Sequence, residues 1–193
     1  GRLVDVTEAM IYCYEEPEMM HTVLEKATAF LIDYIKAYKE AGANGVVMAE
    51  PLAGLLSPDL AEEFSARYVK KINEAVQSDD FLVIYHNCGN TTILTIDSIL
   101  GTGSDAYHFG NAIDMAEMMK HMPAGKIAMG NVDPAGVLRN GTPETVKQTT
   151  KDIMGACCGY KNFVISSGCD IPPATPWENI DAFFEAVNEF YKK

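Results

Sequence analysis

The sequence predicts an α/β fold, on three observations. Short apolar runs alternate with helical patterns, Gly or Pro bounds most of the runs, and the chemically capable side chains collect at the carboxyl ends of the runs. The stretch "PEMMHTVLEKATAFLIDYIKAYKEAG" (17–42) carries Val23, Leu24, Ala27, Leu31, Tyr34, Ile35 and Tyr38 at helical spacing, and Gly42 supplies its stop. "GVVMAE" (45–50) is a buried strand. "SPDLAEEFSARYVKKINEAVQS" (57–78) is a helix with Ser57 as N-cap, Pro58 in the first turn and Glu62 and Glu63 early.

The alternation continues. "FLVIYH" (81–86) is a strand and "TILTIDSILGTG" (92–103) a short helix or turn. "DAYHFG" (105–110) is a weaker strand, followed by the helix "DMAEMMKHMP" (114–123). "KIAMGN" (126–131) is a strand, and Thr142 caps the helix in "TPETVKQTTKDIMGACCG" (142–159). "FVISSG" (163–168) is the fifth strand and "PWENIDAFFEAVNEFYKK" (176–193) the closing helix. Consecutive parallel strands need a helical crossover each time, so this order predicts a parallel sheet covered by helices.

The residues that leave the strands are Glu50; His86 and Cys88; His108 and Asn111; Asn131 and Asp133; Cys169 and Asp170. The entering ends, "GAN", "SDD", "GSD", "AGK" and "YKN", are ordinary turns. An open doubly wound sheet focuses its ligand at one switch point, whereas a barrel uses the carboxyl ends of many strands. Function spread over five strand ends predicts a TIM (β/α)8-type barrel. Five βα units are countable, so the chain reads as the C-terminal part of such a barrel, a single domain over residues 1–193. The remaining strands are expected before Gly1. Uncovered parallel edges in such a fragment would be an aggregation liability.

Composition excludes several classes. A formal net charge of -12 argues against nucleic acid and anionic membrane as partners. No run is apolar and long enough to span a bilayer, and no signal peptide opens the sequence. Five cysteines, an odd number, do not suggest a disulfide framework, and a reducing cytoplasm is the expected compartment. Ten methionines read as core filler. Cys13, Cys157 and Cys158 fall in helices and are assigned to packing, and His21 and His121 to helix surfaces.

His86 and Cys88, two apart at the end of a strand, point to the same side. Cys169 leaves another strand in the same way. Three N/S donors from two strand ends suit zinc with one open position. Two other readings stay open: plain packing of the three, and a cysteine nucleophile served by His108 as base.

Five stretches carry a family resemblance: "DVTEAMIYCYEEPEMMHTVLEKAT", "GANGVVMAEPLAGLLSPDLAEEF", "YHNCGN", "GNVDPAGVLRNGTPETVK" and "SSGCDIPPATPWENIDAFFEAV". With them, the chain resembles the uroporphyrinogen decarboxylase superfamily over essentially its whole length. Within it, His-x-Cys followed by a distant Cys resembles the zinc-dependent methylcobamide:thiol methyltransferases of the coenzyme M type. The resemblance implies Zn2+ on His86, Cys88 and Cys169, with Glu50 as fourth ligand or near neighbour. It implies a methylcobamide carried by a separate corrinoid protein, and a small thiol such as coenzyme M as acceptor. Glu50, His108 and Asp133 are then the catalytic candidates, and Asn111 and Asn131 the cofactor-binding ones. Asn131 and Asp133 serve equally as holders of a loop, and Asp170 as a hydrogen-bond partner for the site. Homo-oligomerisation is compatible with this reading.

The superfamily offers two other activities. The decarboxylase grips an acidic tetrapyrrole with arginines, and Arg2, Arg67 and Arg139 lie away from the strand ends. A tetrahydrofolate-linked methyltransferase has no use for a zinc thiolate. A corrinoid-docking module that kept the barrel face without the reaction is the non-catalytic competitor.

Overall fold

The computed structural model describes residues 3–192; Arg2 and Lys193 lie outside them. Two compact units divide the chain, Gly1–Ala106 and Tyr107–Lys193. The first holds helices α1 (Val6–Glu15) and α2 (Pro17–Glu40), strand β1 (Gly45–Ala49), a 3-10 turn (Pro51–Leu55), α3 (Pro58–Ala61), a π turn (Glu62–Ala66), α4 (Arg67–Val76), β2 (Leu82–Asn87), a second 3-10 turn (Thr92–Thr95) and α5 (Ile96–Gly101). The second holds nearly all of β3 (Ala106–Phe109), then α6 (Met115–His121), β4 (Ile127–Val132), a π turn (Pro134–Arg139), α7 (Pro143–Cys157), β5 (Phe163–Ser167) and α8 (Trp177–Tyr191).

The five strands form one parallel sheet in the order β1-β2-β3-β4-β5. A doubly wound sheet reverses its strand order at a switch point; this one does not, and the sequential order is that of a barrel wall. β1 pairs with β2 from Gly45 against Leu82 to Ala49 against His86. β4 pairs with β5 from Ala128 against Phe163 to Val132 against Ser167. Val83, Tyr85, Tyr107, Phe109 and Val132 on the inner strands are fully buried. The outer strands differ from the expectation of burial on both faces: Val47 of β1 is 63% exposed and Val164 of β5 42%. Each outer strand has a sheet neighbour on one side only, which leaves its apolar face less covered.

Helix starts follow the sequence. Ser57, Asp114 and Thr142 accept bonds from backbone N–H groups of the first turns they cap. Gly42 follows α2 with φ 94, the left-handed turn that ends a helix. Among the described residues no helix is long and apolar enough to cross a membrane.

Three expectations need correction. The helix over 57–78 is not continuous, because the π turn at Glu62–Ala66 interrupts it. Phe64, Ser65 and Ala66, within that turn, are all buried. His21 lies on a helix surface only in part, since its side chain is half-buried. It stacks on Phe64 at 4.7 Å between ring centres, with Nδ1 2.7 Å from the Tyr68 hydroxyl and Nε2 3.1 Å from Glu63 Oε1. Cys158 lies just past α7 as its C-cap, half-buried and 3.6 Å from the Tyr191 hydroxyl, whereas Cys13 and Cys157 are buried in helices as expected.

Candidate metal centre

His86 is the penultimate residue of β2 and Cys88 the first residue past its end; two apart along an extended chain, they face the same way. The β1–β2 ladder runs one step past β1: the Glu50 N–H donates to the His86 carbonyl at 2.9 Å. Asn87, between the two ligand candidates, points to the other side and is fully buried. Its Nδ2 donates to the Glu50 carbonyl at 2.8 Å, and its Oδ1 accepts from the Gly89 N–H at 2.8 Å and the Thr92 hydroxyl at 2.7 Å. That side chain therefore closes the loop that presents Cys88. The 3-10 turn after β1 packs directly on this loop. A Cβ on Gly54 would lie 2.7 Å from both Asn87 Oδ1 and Gly89 Cα, so the approach requires glycine. The Thr91 hydroxyl donates to the Gly54 carbonyl across the same contact.

Cys169 is held by a parallel arrangement. The β4–β5 ladder extends past Ser167, with Gly168 N–H donating to the Val132 carbonyl at 2.7 Å. The Ser167 hydroxyl donates to the Cys169 carbonyl at 2.8 Å. His108 Nε2 lies 2.7 Å from the Ser167 carbonyl, which can only accept, so this nitrogen carries the proton. It is also 3.0 Å from Ser166 Oγ. His108 thus braces the turn before Cys169. Gly168 meets the loop after β3: a Cβ there would be 2.6 Å from the Asn111 nitrogen.

The donor atoms of His86, Cys88 and Cys169 lie within 4.8 Å of one another. Tetrahedral zinc with its usual bond lengths sets such donors about 3.5–3.8 Å apart. The set is therefore within about an ångström of closing on an ion, and one imidazole with two thiols suits zinc chemically. His86 is buried, while Cys88 and Cys169 are half-buried, so the sulfur side of the cluster meets the surroundings.

Glu50 is not a member of this three-residue cluster. Its Oε2 accepts from the Ser65 hydroxyl at 2.7 Å. Burial raises the Glu50 carboxyl above its usual range, against a smaller lowering by that hydrogen bond. Asn131, expected at a cofactor face, is buried, and its Nδ2 donates to the carbonyls of Gly110 (3.0 Å) and Ile113 (2.7 Å); it holds the loop between β3 and α6. Asp133 Oδ1 caps the π turn after β4, accepting from the N–H groups of Ala135 and Gly136, each at 2.9 Å. Asn111 and Asp170 are exposed. Sequence reasoning missed Asn87 and Ser65. Asn87 alone carried a signal, an amide flanked by two ligand candidates.

Known proteins resemble this chain in sequence and fold. A family model described as Uroporphyrinogen decarboxylase (URO-D) matches residues 1–190. The chain is 33% identical over 184 residues to a uroporphyrinogen decarboxylase of Prochlorococcus marinus (strain NATL1A), covering 93% of this chain and 51% of that protein. It is 30% identical over 177 residues to the methylcobamide:CoM methyltransferase MtbA of Methanosarcina mazei, covering 90% and 50%. Among solved structures, a methyltransferase from Methanosarcina mazei superposes with a TM-score of 0.87 at 27% identity, over 98% of this chain and 55% of that one. The chain spans about half the length of the curated relatives it matches.

Proposed function

The chain belongs to the uroporphyrinogen decarboxylase family, and from that premise we propose that it acts as a corrinoid-dependent methyltransferase with zinc on His86, Cys88 and Cys169. The acceptor is a thiol, and the methyl donor is a methylcobamide on a separate corrinoid protein. The observation that carries this reading is the grouping of one imidazole and two thiols within 4.8 Å. Neither a packing role nor proton chemistry calls for two thiols and an imidazole at one point, whereas a metal does.

Zinc would supply a Lewis acid that keeps a thiol deprotonated at neutral pH. The chain's own groups do the rest. Asn87 and the β1–β2 ladder hold the Cys88 loop, and His108 and Ser167 hold the turn of Cys169. Two thiolates and a neutral imidazole would offset the charge of a bound Zn2+, which would leave an acceptor sulfur electron-rich. A corrinoid would supply a methyl group already activated for transfer to sulfur, and the protein's contribution is to position the acceptor thiol.

A second reading, uroporphyrinogen decarboxylation, is favoured by the decarboxylase names of several relatives. The two separate in one experiment. Zinc-loaded protein is given methylcobalamin with a thiol, and in parallel uroporphyrinogen. Thiol-dependent loss of methylcobalamin with formation of the methyl thioether is expected. Decarboxylation without thiol methylation would overturn the assignment.

Alkylation gives an independent check. Burial raises the thiols of Cys13 and Cys157, the latter to about 11, so both stay silent to iodoacetamide near neutral pH. Chelating the metal is expected to expose Cys88 and Cys169, two more labelled sites by mass spectrometry, with Cys158 labelled in either state. Identical labelling with and without chelator would mean that no metal is held there.

A further inference from the structure

We propose that a cleft in the first unit, beside the metal centre, is a pocket for the hydrocarbon part of an uncharged acceptor thiol; this rests on the methyltransferase reading. The cleft has a volume of about 600 Å³, within the usual range for small-molecule sites. Ala9, Cys13, Met20, Leu24, Leu56 and Phe64 form its apolar wall. Ala9, Cys13, Met20 and Phe64 also form one buried cluster, so the wall is set by core packing.

The cleft adjoins the ligand strand. Ala49 and Glu50 both line it; Ala49 is in register with His86, and the Glu50 N–H bonds the His86 carbonyl at 2.9 Å. A thiol engaged at the centre can thus direct its tail over Glu50 into the apolar wall. The ionisable side chains on the wall, Asp5, Cys13 and Glu50, are all acids. A sulfonate or carboxylate tail would surrender its hydration there and meet carboxyl groups in return. An alkyl tail gains from leaving water, and from the polarisable sulfur of Met20 and the Phe64 ring.

The test measures binding by calorimetry. Ethanethiol, butanethiol and hexanethiol are titrated into zinc-loaded protein, with 2-mercaptoethanesulfonate as the anionic counterpart of ethanethiol. Affinity is expected to rise about fourfold per added methylene, and the sulfonate is expected to bind more weakly than ethanethiol. The substitution Met10→Trp at the half-buried rim should flatten the chain-length series at unchanged zinc content. Ala9→Phe, which fills the wall itself, should do the same. A flat series in the unsubstituted protein, tighter binding of the sulfonate, or an unchanged slope in both variants would overturn the proposal. The matching methyl alkyl thioethers, titrated into metal-free protein, should give the same slope. Absence of zinc binding would defeat the methyltransferase reading, whereas the thioether slope judges the pocket by itself.

Discussion

Replacing Cys169 with serine is expected to weaken zinc binding by more than about 100-fold, the upper end of what losing a mere supporting residue costs. Serine is nearly isosteric, but its hydroxyl does not ionise at neutral pH and is a poor zinc donor. The backbone that carries it should not change. Its turn is held by the Gly168–Val132 bond of 2.7 Å and the Ser167–Cys169 bond of 2.8 Å, which serine leaves intact. Thermal stability of the metal-free protein should therefore move by no more than about 0.5 kcal/mol. Cys157→Ser makes the contrast, because Cys157 is fully buried in α7. A hydroxyl there should cost about 1–3 kcal/mol while zinc affinity stays as it was. Competition against a chelator, together with denaturant unfolding, measures both quantities. Unchanged zinc affinity in Cys169→Ser would remove the third ligand, and the proposed mechanism with it.

Asn87→Ala is expected to damage both stability and metal binding. The amide is fully buried and makes three hydrogen bonds, to the Glu50 carbonyl, the Gly89 N–H and the Thr92 hydroxyl. Thr92 keeps a second partner, the Gly89 carbonyl at 2.6 Å, so its loss is partly absorbed. The Glu50 carbonyl keeps the Ala53 N–H at 3.2 Å, so the half-buried Gly89 N–H is the group left without this partner. The expected destabilisation is about 1–3 kcal/mol. Zinc affinity should fall by about 10–100-fold, as for a residue that orients a ligand. Asn87→Asp keeps an acceptor for Gly89 but turns a carboxyl oxygen toward the Glu50 carbonyl, so it should not rescue stability. Full stability in Asn87→Ala would show that the Cys88 loop is held by other contacts.

The strand ends were legible because they depend on local rules. Alternation along an extended chain puts His86 and Cys88 on one side, and the βα rhythm puts Cys169 at a corresponding strand end. What holds these ligands was not legible, because the partners are distant in sequence. Asn87 reaches back 37 residues to Glu50, and His108 reaches 59 residues forward to Ser167. His21 was read incompletely for the same reason: on its own helix it looks like a surface residue, and the partners that cover it, Glu63, Phe64 and Tyr68, come more than 40 residues later. Asn131 was open to two readings in the sequence, a cofactor contact or a holder of a loop, and its Nδ2 bonds to the Gly110 and Ile113 carbonyls fit the second. The π turn escaped because periodicity assumes 3.6 residues per turn, and Glu62–Ala66 departs from it.

That π turn makes its segment sensitive to length. From within it, Phe64 lines the cleft and Ser65 donates to the Glu50 carboxyl. Deleting one residue within 62–66 should restore a regular helix with its flanks in their present register. The Ser65–Glu50 contact and the cleft wall would then change while the helices on either side stay where they are.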